Sequence, residues 1–176
     1  MCSTPQIRGV CDQHQSPIAQ AFVVSQRAGV LRELNDGFKF HNVKEAARVL
    51  AQLLDEYLPI LPPNIQIVPI PTTTSHIRQR GYDHIDLIAR HLSYLRNIPV
   101  KRILSRQTNT TQHTVGRTQR QEQAKQAFML TEHINGPILL LDDIITTGST
   151  VLAASKSLSN SGSVVFVASL AYQPLD

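Results

Sequence analysis

The sequence predicts an α/β domain with a mostly parallel sheet flanked by helices, and three observations carry that expectation. Short β-branched or leucine-rich runs read as buried strands: NIQIVPIP at 64–71, PILLLDD at 137–143 and SVVFVASLAY at 163–172. Apolar residues between and before them recur at helical spacing, so strands alternate with helices, the pattern of a parallel sheet. No internal repeat or linker divides the chain, and 176 residues are enough to bury one core. A polar N-terminal segment, 1–20, is therefore expected before a single domain, 21–176.

Each element has its own warrant. Ala21 to Val24 is a short apolar run that suggests a first strand, and GVLRELNDGFKF leads from it to a helix. In that helix Val43, Ala46, Ala47, Leu50, Leu53, Leu54 and Tyr57 share one face. Asn42 and Glu45 resemble a capping pair, and Pro59, Pro62 and Pro63 stop the helix. After the strand at 64–71, TTTSHIRQRGY reads as a loop carrying Arg78 and Arg80. Asp83 then caps a second helix, whose stripe is Ile85, Ile88, Ala89, Leu92 and Leu95. PVKRIL, 99–104, reads as a strand. The tract 105–126 is long and polar, the mark of a lid, a binding loop or disorder. AFMLTE and PILLLDD follow as strands. A helix from about Ser149 has Val151, Ala154, Ser155 and Leu158 on one face and Gly162 as its stop. SVVFVASLAY closes the sheet.

Composition narrows the function classes. The formal charge is +4, from 17 basic and 13 acidic residues, which leans toward anionic partners without naming one. Tryptophan is absent and aromatics make up 5%, which argues against a wide stacking platform for nucleic acid. No apolar run approaches the ~18 residues that span a bilayer, and the N-terminus lacks a signal-peptide core, so a cytoplasmic protein without membrane contact is expected. Cys2, Cys11 and His14 supply three potential metal ligands without a fourth at a usual spacing, and free thiols are the default reading.

The chemistry concentrates in PILLLDDIITTGST, 137–150. A buried strand, two acids, a small polar loop and a helix make an anion site, because backbone N–H groups and the helix N-terminus converge on one spot. Thr146, Thr147, Ser149 and Thr150 add hydroxyls, and Gly148 allows close backbone approach. The G-x-x-x-x-G-K-[ST] and G-x-G-x-x-G patterns are both missing. A site for phosphate alone would avoid carboxylates, so Asp142 and Asp143 point to a ligand with hydroxyls or a metal beside its phosphate. A sugar phosphate meets both demands.

From Ile138 to Thr150, without a gap, the sequence resembles the phosphoribosyl-pyrophosphate (PRPP) motif of type I phosphoribosyltransferases. VPIP followed by RQRGYDHIDLIARHL, and TTQHTVGRTQRQEQAKQAF with Gln112, Arg120 and Phe128 in register, are similar to the ComF-like, competence-associated branch. GVLRELNDGFKF resembles that branch's segment before its first helix. Two departures stand out: the branch's Asn-Gln after Arg-Gly-Tyr is Asp83-His84 here, and its usual third-segment Asn is Gln123. The branch's four-cysteine zinc module is missing.

The resemblance implies a type I phosphoribosyltransferase fold with a hood or flexible loop over 105–126. Asp142 and Asp143 would hold the ribose hydroxyls of PRPP, directly or through Mg²⁺, and would be the metal ligands. Thr146, Thr147, Gly148, Ser149 and Thr150 would cradle the 5′-phosphate. Pro71, Thr72 and Thr73, with Arg78 and Arg80, would meet the pyrophosphate. Arg106, Gln112, Arg117 and Arg120 would belong to the flexible loop, whose closure excludes water from a cationic sugar. His76, His84 and His113 are further acid–base candidates, whereas His14, His41, His91 and His133 read as structural or exposed. The implied activity is transfer of the 5-phosphoribosyl group to a nitrogenous small-molecule acceptor with release of pyrophosphate. Thr146, where 6-oxopurine salvage enzymes carry an acid, argues against hypoxanthine or guanine. A PRPP- or nucleotide-binding accessory protein that contacts single-stranded DNA or competence proteins is the other reading, and a homodimer is expected from the fold.

Overall fold

The computed structural model describes residues 16–41, 43–106 and 127–173. Four parallel strands form the central sheet in the order β1-β6-β5-β2, with β1 at Ile18–Gln26, β2 at Gln66–Pro69, β5 at Ile138–Ile145 and β6 at Val165–Tyr172. A separate antiparallel ribbon pairs β3, Leu104–Arg106, with β4, Phe128–Leu130. The helices are α1, Gly29–Phe40; α2, Ala46–Tyr57; α3, Thr74–Arg80; α4, His84–Arg96; and α5, Ser149–Ser159.

Side-chain alternation along the strands divides the core into two layers. Leu139 and Leu141 of β5 pack with Phe38 of α1, Leu50 and Leu54 of α2, and Ile88 and Leu92 of α4. Ile138 and Leu140 face the other way, onto Val151, Ala154 and Leu158 of α5 and onto Phe128 of the ribbon. Helices thus cover both faces, which explains why β5 is apolar without interruption up to Leu141. Among the described residues, no helix is long and apolar enough to cross a membrane.

Several elements differ from expectation. β1 begins at Ile18, so Ile18 to Gln20 join the sheet ahead of the boundary drawn at 20/21. GVLRELNDGFKF is itself α1, held by Leu31, Leu34 and Phe38 against the core. Of the residues expected on the buried face of the next helix, Val43 precedes α2 and is 43% exposed, and Tyr57, its last residue, is 50% exposed. The expected partner of Glu45 in a capping pair, Asn42, lies outside the described residues. The loop carrying Arg78 and Arg80 contains α3, which Gly81 ends at φ 78°, a left-handed conformation that glycine adopts without a Cβ clash. The strand expected at 99–104 reduces to one parallel bridge, Val100 to Ile67, because the chain leaves the sheet there for the ribbon. Arg106 and Ser105, assigned to the flexible loop, are residues of β3.

α4 meets its expectation except at Leu95, which is 42% exposed. The Asp83 carboxylate accepts hydrogen bonds from the N–H groups of Ile85 and Asp86, and Ile85, Ile88, Ala89 and Leu92 are buried. In α5, Val151, Ala154, Ser155 and Leu158 are buried, as the stripe predicts.

Candidate functional site

The site's position follows from chain direction. The segment after β2 crosses to α4 on one face of the sheet, whereas the segment after β5 runs to α5 on the other. β2 and β5 are neighbours, so the two connections separate and open a crevice at the carboxyl ends of the strands, where open α/β sheets bind ligands. β2 stops pairing at Pro69 opposite Leu141, while β5 continues to Ile145. Asp142 and Asp143 are the first β5 residues beyond that point, and they border a cavity of about 320 Å³.

Around the two acids of β5 that cavity brings together residues from five other segments. Lys39 comes from α1, Pro71, Thr72 and Thr73 from the loop after β2, His76 and Arg80 from α3, His84 and Ile85 from α4, and Arg106 from β3. Asp142, Asp143, Arg80, Arg106 and the 71–73 loop therefore border one cavity. Arg78 is not among the lining residues and is exposed on α3. Thr146 to Thr150 lie past the lining, where β5 gives way to α5. There Thr147 Oγ1 stands 2.8 Å from Ser149 Oγ and accepts from the Ser149 N–H, and Gly148 has φ 73°. Gln112, Arg117, Arg120, Gln123 and His113 lie outside the described residues, as do Cys2, Cys11 and His14. His41, His91 and His133 are exposed.

The two acids are adjacent in sequence but differ in setting. Asp143 shares its face of β5 with Leu139 and Leu141 and meets α1 and α4, where Lys39 forms an ion pair with it and His84 Nε2 lies 3.4 Å from Oδ2. Burial alone would raise the Asp143 carboxyl, but the His84 contact and the Lys39 charge outweigh it and hold the group below the usual carboxylate range. Among the described residues Asp142 forms no ion pair. Burial, and then the charge of Asp143, push it up to about 8, although the Lys39 charge offsets part of its rise. Asp142 is therefore the acid of the pair that protonates more readily.

His84 links the acids to the arginine. Arg80 Nη1 is 3.0 Å from His84 Nδ1, and a guanidinium can only donate, so Nδ1 is the acceptor and the ring proton sits on Nε2, toward Asp143. The Thr72 hydroxyl donates its one proton to Asp83 Oδ1 at 2.9 Å, which leaves Nδ1 to Arg80. The Asp83-His84 departure thus acquires a structural meaning. Asp83 is spent on the α4 cap and Thr72, and His84 supplies one donor and one acceptor, as a glutamine amide would. Arg106 Nε donates to the Pro71 carbonyl at 2.8 Å, which fixes the ribbon to the 71–73 loop.

Lys39 is the residue that sequence reasoning missed. It follows Phe38, the buried end of the Leu31, Leu34, Phe38 stripe, so a lysine beside a buried helix face was the available signal. Among the described residues no three His, Cys, Asp or Glu side chains cluster as a metal cage.

No family model matches the chain. It is 33% identical over 172 residues to competence protein F of Haemophilus influenzae, covering 88% of this chain and 72% of that protein. It is 28% identical over 163 residues to the DNA utilization protein YhgH of Salmonella typhi and 27% over 165 residues to that of Escherichia coli strain K12, each at the same coverage. This similarity along most of both sequences assigns the chain to the competence protein F, or ComF-like, family.

Proposed function

We propose that the crevice binds PRPP in a type I phosphoribosyltransferase fold and that the chain transfers its 5-phosphoribosyl group to a nitrogen nucleophile. The carrying observation is the placement of Asp142 and Asp143 at the switch point, between a hydroxyl-rich helix N-terminus and a cationic wall of Lys39, Arg80 and Arg106. Each part of PRPP has a chemically matched neighbour. The Thr146–Thr150 turn and the α5 N-terminus suit the 5′-phosphate. The two acids suit the ribose hydroxyls, and the 71–73 loop with Arg80 and Arg106 suits the pyrophosphate.

In the reaction the C1–O bond to pyrophosphate breaks, its electron pair leaving with the pyrophosphate. A C1–N bond forms from the nucleophile's lone pair, and the nucleophile's proton passes to solvent. Positive charge builds on the ribose ring as the leaving group departs, and negative charge builds on pyrophosphate. Arg80 and Arg106 stabilise the second, and the fixed carboxylate of Asp143 favours the first. The residues fit Mg²⁺ in the sense that two carboxylates and substrate oxygens suffice for it, with Asp142 and Asp143 as the protein ligands. Bound there, the ion would neutralise pyrophosphate charge and favour the ionised form of Asp142.

The test is pyrophosphate release from PRPP and Mg²⁺ across a panel of nitrogenous bases. Acceptor-dependent release is expected, with Asp143→Asn lowering it about 100-fold. Tight PRPP binding with no turnover on any acceptor would overturn transfer.

A second reading is favoured by the relatives' names, competence protein F and DNA utilization protein. In it the chain acts in DNA uptake or use, binding PRPP or a nucleotide as an accessory protein that also contacts single-stranded DNA. Affinity for an oligonucleotide should then fall steeply between 50 and 200 mM salt, by about tenfold or more. Absence of binding at low salt removes it.

A further inference from the structure

Beside the crevice lies a second cleft, of about 200 Å³, lined by Lys39, Phe40, Gln79, Arg80 and Tyr82. It shares Lys39 and Arg80 with the first cavity, so the two are neighbours across a common wall. A single exposed phenylalanine is ordinary on a protein surface. Phe40 is not in an ordinary setting. Its ring, 64% exposed, closes α1 at the wall of the cleft, and the Arg80 guanidinium carbon lies 5.6 Å from its centroid. The other aromatic wall, Tyr82, is held by its hydroxyl, which donates to the Phe38 carbonyl, and carries Lys44 Nζ 5.2 Å from its ring centroid.

The charge is unbalanced. None of the five lining residues is acidic. Lys39 is paired with Asp143, but no carboxylate lies within ion-pair distance of Arg80 among the described residues. Glu45, which acts on Tyr82, stands outside the lining. His84 keeps Arg80 in place from the far side by accepting from Nη1. The cleft therefore offers a planar cation beside a bare aromatic ring, an amide at Gln79, and room for one heterocycle rather than a nucleotide. Aromatic rings stack on both guanidinium and phenyl faces, and an anionic substituent is drawn to an uncompensated guanidinium.

We propose that this cleft is the acceptor subsite and that it takes a planar nitrogen heterocycle bearing an acidic group, stacked against Phe40 and Arg80. The assignment of the ring as acceptor rests on the transferase reading; binding of the ring does not. The shared wall puts the ring next to the crevice, with Arg80 bordering both: one side of its guanidinium meets the acidic group of the ring and the other the pyrophosphate, and a ring nitrogen could approach the sugar.

The experiment measures equilibrium binding by calorimetry, with orotate, a pyrimidine carboxylate, and neutral uracil as ring probes, and with ribose 5-phosphate as an independent probe of the crevice. Orotate should bind at least tenfold more tightly than uracil. Phe40→Ala should weaken orotate at least tenfold, Phe40→Tyr should restore it, and neither should alter ribose 5-phosphate affinity. Because Phe40 is largely exposed, its replacement leaves the core intact. Equal binding of orotate by wild type and Phe40→Ala, or no preference for orotate over uracil, overturns the subsite. Phe40-dependent binding of a thymine oligonucleotide without binding of orotate overturns it too, in favour of a nucleic-acid surface. If orotate binds through Phe40 but ribose 5-phosphate does not bind at all, the subsite stands and the transferase reading falls.

Discussion

At the scale of single residues, His84 decides how the acid pair and the cationic wall are joined. Its ring donates toward Asp143 and accepts from Arg80, so it can be replaced only by a side chain with both functions. His84→Leu leaves Arg80 Nη1 without its acceptor and Asp143 with Lys39 alone, and should cost about 1–3 kcal/mol. His84→Gln carries an amide donor and a carbonyl acceptor and should recover most of that loss. Urea unfolding of the two variants checks this, and equal destabilisation by Leu and Gln would refute the relay. Asp143 also shows what a sequence conceals. Side by side in the chain, the two acids suggest mutual repulsion; both border one cavity, and the ion pair with Lys39 and the His84 contact fall on Asp143.

At the scale of elements, the helices that were legible are those with a long apolar stripe. α2, α4 and α5 each bury several stripe residues, so their period was visible. α1 was harder to read because Gly29, Asn35, Asp36 and Gly37 have weak helix propensity, and its stability comes from docking Phe38 and its neighbours. α3 buries no residue at all, so no pattern could announce it. Contacts between elements were equally invisible. Arg96, at the end of α4, donates from Nε to Asp55 Oδ1 at 2.6 Å, and from its two terminal nitrogens to the Leu58 and Pro59 carbonyls at 2.7 Å each. It thereby satisfies carbonyls at the end of α2 that the helix leaves unpaired. Arg96→Ala should destabilise by about 2–3 kcal/mol, and Arg96→Lys should recover less than half, since one ammonium cannot span three acceptors. Thermal denaturation measures both; a neutral Arg96→Ala would show that the clamp contributes nothing.

At the scale of the whole molecule, β5 is the axis on which fold and site meet. Its apolar half is covered on both faces and its acidic end opens into the crevice. Leu139 and Leu140 are both fully buried, in opposite layers. Truncation of either to alanine should therefore cost about 2–5 kcal/mol, measured by equilibrium unfolding. A small loss for one of the two would mean that its face lacks a packed layer. The same two-sided covering creates the site, because helices leaving β2 and β5 for opposite faces must separate between the two strands.

The α/β class, the parallel sheet, three of the helices and the acid–loop–helix stretch at 138–150 followed from the amino-acid sequence alone. They depend on local periodicity and on residue types that suit one backbone geometry. The tertiary structure decided which side chains share the crevice: Lys39 enters it, Arg78 does not, and His84 stands between Arg80 and Asp143. It also placed Arg106 in a strand and set an exposed Phe40 beside the Arg80 guanidinium. Those outcomes depend on where separate elements cross and on which face each side chain takes, and contacts between residues far apart in the chain leave no period in it.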